Sequence, residues 1–390
     1  MLSPQRPHQP PLPQSSRPID ASRLRVAILS DAAPERNGVG AYYRDLADHL
    51  RAAGARVELI APRYRHGSWH GGLTFPLPGD PTQRLLVPSW PLVSGRLRRL
   101  RPNAIVVPTP GPFGMLGMHL AGRREIALVV GFHTHFEALT DLFPEWSGLR
   151  ARVANAYLGT CHRMLFRRSQ LVLANSHEMV EVARRIGANR AALMATPIAK
   201  RFLDQPPRPI SPQFRRVLFA GRLAPEKNLE SVVEAARQLP EIEFLVAGDG
   251  PLRPWLEQRC LEHPNLKHLG WVRRGQIMAL LDSVDALVLP SRVESFGTIA
   301  LEAMARARTV VVSSACGILS WELLGRGLHA IGEDETLADT LARLRDLDPA
   351  LRERKARLAR AAAIEINRRN LQHWLSVLSG DHGHSVDMRD

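Results

Sequence analysis

Two kinds of apolar pattern alternate along this chain. Short unbroken apolar runs, such as LRVAILS at 24 to 30, are followed by longer stretches in which apolar residues recur at helical spacing. The first such stretch, AYYRDLADHLRAAG, ends on Gly54, a residue type that commonly stops helices. Further strands are expected at RVELIAP, NAIVVP, IALVVGF and QLVLAN, with helical segments around 112 to 121, 149 to 168 and 177 to 186. Strands that are apolar on both faces and separated by helices predict a parallel, doubly wound sheet.

Between Thr196 and Gln213 the text TPIAKRFLDQPPRPISPQ loses its period and fills with proline, which reads as an interdomain linker. A second alternation then begins: RRVLFAG, a helix over 226 to 238, IEFLVAG, a helix over 251 to 262, NLKHLG, a helix near 274 to 282, DALVLP, a helix from about Gly297, and TVVVSS. Helices near 335 to 345, 350 to 366 and 367 to 378 close the chain. The expected fold class is α/β, two doubly wound Rossmann-like domains facing a central cleft, where ligands of open α/β sheets bind. The expected boundaries are a disordered proline-rich tail at 1–22, a first domain at 23–195, the linker at 196–213, a second domain at 214–366, and a terminal helix and tail at 367–390.

Composition supports two cores: the chain has 390 residues, 45% of them hydrophobic and 23% charged. No apolar stretch approaches the ~20 residues needed to span a bilayer, and the first residues lack the apolar core of a signal peptide. A cytoplasmic protein is expected. Cys161, Cys260 and Cys316 are too far apart for a zinc site or a disulfide framework. The formal charge of +14 calls for an anionic neighbour. Arginine is dense at RLRRLR (96 to 101), at Arg123 and Arg124, and at Arg150, Arg152, Arg163, Arg167 and Arg168, interleaved with Leu97, Leu100, Tyr157, Leu158, Met164, Leu165 and Phe166. Such helices can lie on an anionic membrane surface, on the inner face for a cytoplasmic protein, or can simply be solvated. No recognised nucleic-acid motif or aromatic-interleaved basic groove is present, so no nucleic-acid partner is expected.

The candidate chemistry centres on VESFGTIALEAMA, which sets Glu294 and Glu302 eight residues apart across a turn and the start of a helix. At the helical rise the two carboxylates would stand roughly 12 Å apart along the axis, suited to the two ends of an extended ligand. The amides of Ser295, Phe296, Gly297 and Thr298 would face an anion between them. Arg222 and Lys227 flank Pro225 just past a strand end; a cation at the positive end of a helix calls for a bound anion, unless Lys227 is paired with Glu226 or Glu230. LVAGDGP places glycines at another strand end. In the first half, Asn37-Gly38-Val39-Gly40 lies between a strand and a helix, but Tyr43 stands where a dinucleotide fingerprint needs its third glycine. His133 and His135 directly follow a strand, with no nearby carboxylate or cysteine to complete a metal set, so His133 is read as a hydrogen-bonding residue of the cleft. Asp346-Leu347-Asp348 lies between late helices and is not read as a metal site.

These residues resemble the GT-B-fold, retaining nucleotide-sugar glycosyltransferases of the group 1 (GT4) type, from about Leu24 to Ala363. AGRLAPEKNLESVVEAA, VAGDGPLRPWLE and PSRVESFGTIALEAMA carry the likeness most specifically. The resemblance implies that Glu294 contacts the donor sugar and Glu302 the nucleotide ribose, that Arg222 and Lys227 hold the diphosphate, and that Gly38 lies by the phosphates and His133 by the sugar. It implies a hexose transferred to a hydroxyl acceptor with no cofactor and no metal, the nucleotide-diphosphate sugar being a substrate. NGVG and FHTHFEAL look most like the branch that glycosylates membrane lipids. Two departures stand out: MATPIAKRFL replaces the usual Gly-Val-Asp stretch before the linker, and Cys316-Gly317 replaces paired glycines. They leave open a degenerate, non-catalytic binding or scaffold protein, and the two-domain plan also suits a nucleotide-sugar epimerase or a phosphorylase.

Overall fold

The computed structural model describes residues 20–35, 38–65, 68–70, 73–77, 80–133 and 149–380. Most of the expected tail therefore lies outside the described residues, as do Asn37 and His135. Asp20 to Ser22 belong to the folded part: the Asp20 carboxylate caps the short helix Ala21–Arg23, and Ala21 is buried.

The chain opens with β1 (Arg25–Leu29) and β2 (Arg56–Ile60). Two small antiparallel pairs follow that the apolar pattern did not reveal, β3 (Arg63–Arg65) with β4 (Ser68–His70) and β5 (Thr74–Leu77) with β6 (Asp80–Leu86). The first sheet is completed by β7 (Ala104–Val107), β8 (Ala127–Phe132), β9 (Leu171–Ala174) and β10 (Ala191–Leu193), in the parallel order β10-β9-β8-β7-β1-β2. Its strands are buried on both faces because alternate residues serve two cores: Ala27, Leu29, Ile105 and Val107 join one, Val26, Ile28, Ala104 and Val106 the other.

The second sheet comprises β11 (Arg216–Ala220), β12 (Glu243–Ala247), β13 (Leu266–Gly270), β14 (Ala286–Leu289), β15 (Thr309–Val312) and β16 (His329–Ala330). Its order is β13-β12-β11-β14-β15-β16, so the winding reverses between β11 and β14. That switch point opens a crevice at the strand carboxyl ends, where ligands of such sheets bind. The expected strands and most expected helices are present.

Three expectations are corrected. The helix expected over 226 to 238 is broken: a single turn at Pro225–Lys227 is separated from Leu229–Gln238 by Asn228, which adopts a left-handed conformation at φ 54. The two last helices are one, Pro349–Ser379, uninterrupted because no glycine or second proline falls inside it. It crosses both domains, with Ala359, Ala363 and Ile366 in the second core and Trp374, Val377 and Leu378 in the first, so a boundary at 366 cuts a continuous element. Finally, the proline-rich linker is not loose along its length. Arg306 donates to the carbonyls of Phe202, Gln205 and Pro206, Arg308 to that of Arg208, and Arg352 to those of Ser211 and Pro212. All three arginines are buried in the second domain.

Candidate active site: a cleft between the two sheets

A cleft of ≈ 490 Å³ lies between the carboxyl ends of the two sheets. All the residues singled out above for donor binding or catalysis line it: Gly38 and His133 from the first domain, and Arg222, Lys227, Glu294, Ser295, Phe296, Gly297, Thr298 and Glu302 from the second. Their local folding explains the convergence. The loop after β11 and the loop after β14 are zipped together at the switch point: Glu226 O accepts from Arg292 N at 2.8 Å, and Asn228 Nδ2 donates to Pro290 O at 3.1 Å. The left-handed turn at Asn228 ends the short helix and leaves Lys227 facing the second loop.

Lys227 Nζ pairs with Glu294 Oε2 at 2.7 Å rather than with Glu226 or Glu230. Burial opposes its charge, but the Glu294 carboxylate prevails and holds the ammonium above its ordinary pKa. Glu226 instead sits 3.8 Å from Arg222, and Glu230 3.8 Å from Arg292. Glu294 lies in the loop before the helix Thr298–Ala305, so the helical rise separates only Thr298 from Glu302. The Phe296 ring turns into the core against Trp321, at a centroid distance of 6.1 Å, and its backbone remains at the cleft.

The Cys316-Gly317 departure is explained by the same loop. Gly317 N donates to Glu294 O at 2.8 Å, and a Cβ at Gly317 would fall 2.0 Å from Ser295 O, so the second position requires glycine. The first position tolerates a side chain: Cys316 is buried with Sγ 3.4 Å from Phe296 O, and burial pushes its thiol up to about 12. The glycines of LVAGDGP are equally constrained, since a Cβ at Gly248 would meet Gly221 O at 1.8 Å. The MATPIAKRFL segment is held from both domains. Ile198 N donates to Asn367 Oδ1 at 2.8 Å, and Ile198 O lies 2.6 Å from His49 Nε2.

On the opposite wall His133 Nε2 lies 2.9 Å from Tyr43 Oη. Gly131 makes this possible, because a Cβ there would lie 1.8 Å from that hydroxyl oxygen. Tyr43, which excluded a dinucleotide fingerprint, is thus the partner that orients His133. Burial lowers the imidazole pKa to about 3, so it is neutral around pH 7. Sequence reasoning missed Tyr42, Asn175, Thr196, Trp271 and Arg274 as cleft residues. Asn175 and Thr196 follow β9 and β10, and their place at strand carboxyl ends was the available signal; Trp271 and Arg274 carried none. Among the described residues no group of three or more His, Cys, Asp or Glu side chains could hold a metal ion. The Asp346/Asp348 pair is structural: Asp346 pairs with Arg345, and Asp348 caps the last helix through Ala350 N.

Two Rossmann-like domains around a ligand cleft define a GT-B type α/β protein. The chain belongs to the group 1 glycosyltransferases: residues 201–363 match the family described as Glycosyl transferases group 1, and residues 36–198 match Glycosyltransferase Family 4. It is 33% identical to an alpha-D-kanosaminyltransferase of Streptomyces kanamyceticus over 57% of this chain and 59% of that protein. It is 29% identical to a GDP-mannose-dependent alpha-mannosyltransferase of Mycolicibacterium smegmatis, over 75% of this chain and 80% of that one. The first alignment thus spans less than two thirds of that relative's length. Among solved structures, sucrose-phosphate synthase of Thermosynechococcus elongatus superposes with a TM-score of 0.70 at 17% identity, covering 92% of this chain and 98% of that one. Anabaena HepE in complex with UDP and glucose superposes at 0.62 and 18%, covering 91% and 100%; at such identities the likeness concerns the fold.

Proposed function

We propose that this protein transfers a hexose from a nucleoside-diphosphate sugar to a hydroxyl acceptor, with retention at the anomeric carbon and without a metal. The observation that carries this reading is the convergence of Arg222, Lys227, Glu294 and Glu302 at the switch point of the second sheet. Breaking a sugar–diphosphate bond develops negative charge on the leaving group. Fixed cations in a partly dry cleft stabilise that charge where it forms, and positioning supplies much of the remainder. Arg222 and Lys227 take the diphosphate in this reading. Glu294, now paired with Lys227, exchanges part of that pairing for donor sugar hydroxyls, and Glu302 takes the ribose. Neutral His133 hydrogen-bonds the sugar from the opposite wall; neither glutamate is assigned as a covalent nucleophile.

The acceptor proposed is a membrane lipid. Support comes from the first domain, where Leu73, Phe75, Val87, Trp90 and Leu92 are exposed, as are Arg98 and Arg99. The Arg150 and Arg152 side chains lie outside the described residues. No helix among the described residues is long and apolar enough to cross a membrane, so the contact proposed is peripheral.

Calorimetric binding of a panel of UDP-, GDP- and ADP-sugars, with and without chelator, tests the donor assignment. Tight binding of one donor, unchanged by chelator, is the expected outcome. Release of nucleoside diphosphate only when a hydroxyl acceptor is present separates transfer from epimerase or phosphorylase chemistry. Binding without turnover for any acceptor would favour the scaffold reading instead.

A further inference from the structure

Arg274 joins the two domains at the edge of the cleft. It opens the helix Arg274–Leu281 of the second domain, and its Nη2 donates to Asp45 Oδ2 on the first-domain helix Gly38–Ala52. The same nitrogen stands 3.1 Å from Glu302 Oε1. Arg201, just before the stapled part of the linker, donates to the Arg274 carbonyl at 2.9 Å. Two cations and two carboxylates thus meet at the domain boundary, with Asp45 and Glu302 nearly dry at 7% and 5% side-chain exposure. Arg274 and Glu302 line the cleft, and Asp45 stands behind them. Glu302 Oε1 is buried beside Arg274, and Glu302 lines the cleft from which a ligand donor would reach its carboxylate.

We propose that Arg274 and Asp45 form an interdomain clasp, in which Arg274 is the positioning residue that couples occupancy of the Glu302 site by a nucleoside ribose to closure of the two domains. The inference rests on the donor reading proposed above, which places the ribose on Glu302. Desolvation and attraction nearly cancel in a buried ion pair, so the clasp alone biases the domains little and a ligand can decide the balance. A ribose diol hydrogen-bonded to the Glu302 carboxylate fixes that side chain. The fixed carboxylate holds the planar guanidinium in the orientation that reaches Asp45. Coupling of this kind is reciprocal: an intact Asp45–Arg274 contact tightens ribose binding as much as ribose favours the contact. Asp45 therefore influences nucleotide affinity without a place on the cleft wall.

The test is calorimetric binding of UDP, GDP, ADP and inorganic pyrophosphate to the full chain and its Asp45→Asn, Arg274→Lys, Glu302→Gln and Asp45→Asn/Glu302→Gln variants. For the nucleotide that wild type binds, Asp45→Asn and Arg274→Lys should each weaken affinity by about tenfold, within the usual range of coupled sites. In the Glu302→Gln background Asp45→Asn should add nothing. Pyrophosphate, which has no ribose, should bind all variants as it binds wild type, and this also shows that each variant is folded around Arg222 and Lys227. Wild-type nucleotide affinity in Asp45→Asn alongside a weakened Glu302→Gln would overturn the clasp and leave the donor reading standing. Equal losses for nucleotide and pyrophosphate in Asp45→Asn would reduce the contact to a structural one and also overturn it. Failure of the wild type to bind any of the nucleotides would remove the donor reading and the clasp together.

Discussion

A histidine with its pKa near 3 behaves differently from one near 6.5, and His133 is held in the first condition by burial beside Tyr43. Its folded pKa is depressed, so the neutral form contributes stability that is fully present above about 6.5 and is lost as pH falls through about 3. Two results follow. The pH profile of turnover should show no acid limb near 6.5 that depends on His133, any limb near 7 belonging to Asp45, whose carboxyl burial raises to about 7. His133→Asn should leave the profile's shape unchanged while lowering kcat; a wild-type limb near 6.5 that the substitution abolishes would contradict the neutral assignment. The two glutamates should also separate. Glu302→Ala is expected to weaken nucleotide binding, whereas Glu294→Ala, which strips Lys227 of its 2.7 Å partner, should chiefly lower turnover. Wild-type behaviour of both would remove the donor assignment. That Glu294, Glu302, Arg222 and Lys227 would lie together at a cleft was legible in the sequence, because a strand end followed by a helix is a local signal. The Lys227–Glu294 pairing and the Arg274 contacts were not, since each joins residues far apart in sequence. Local helix arithmetic offered only Glu226 and Glu230 as carboxylate partners for Lys227, as the alternative to a bound anion.

Elements were legible where a single period ran through them and obscure where a distant partner decided the outcome. The buried strands, continuous in apolar residues, and the helix Thr298–Ala305 fall where the pattern put them. The break at Asn228 was hidden because the residues on both sides suit a helix, and the left-handed turn is fixed by the Asn228–Pro290 contact across the switch point. The linker misled in the opposite sense. Proline and loss of period correctly marked an irregular segment, yet nothing local announced that Arg306, Arg308 and Arg352 would bind its carbonyls. Arg306 also forms a pair with Asp282 at 2.7 Å, both side chains being almost fully buried. Arg306→Met would strand that carboxylate and free three linker carbonyls, and it should cost about 3–5 kcal/mol in chemical denaturation, the usual penalty for halving a buried pair. Hydrogen exchange offers a companion measurement: loosening confined to 202–212 would locate the staple, and an unchanged stability would refute it.

At the scale of the whole molecule, the basic first half and the cleft belong to one argument about where an acceptor arrives. The helix Trp90–Leu100 buries Val93 and Leu97 against the first domain and turns Leu92, Arg98 and Arg99 outward. Exposed Leu73 lies beside exposed Val87 through a backbone hydrogen bond of 3.0 Å, with Phe75 and Trp90 close by in the chain. A helix that exposes both apolar side chains and arginines suits the interface of an anionic bilayer, where each cation contributes ~1 kcal/mol and each fully buried large apolar side chain ~1.5–3 kcal/mol. The two contributions respond differently to salt, because screening acts on the charges and leaves burial largely intact. Cosedimentation with phosphatidylglycerol vesicles should therefore be strong at low salt and fall on addition of salt towards the weaker level seen with neutral phosphatidylcholine, which only the apolar contacts sustain. Arg98→Glu with Arg99→Glu should remove most of the salt dependence, while Trp90→Ser with Leu92→Ser should weaken binding at every salt concentration by tenfold or more, about 1.4 kcal/mol per factor of ten. If low-salt phosphatidylglycerol vesicles leave the protein in the supernatant, the lipid acceptor loses its support, and the exposed arginines revert to ordinary solvated helix faces.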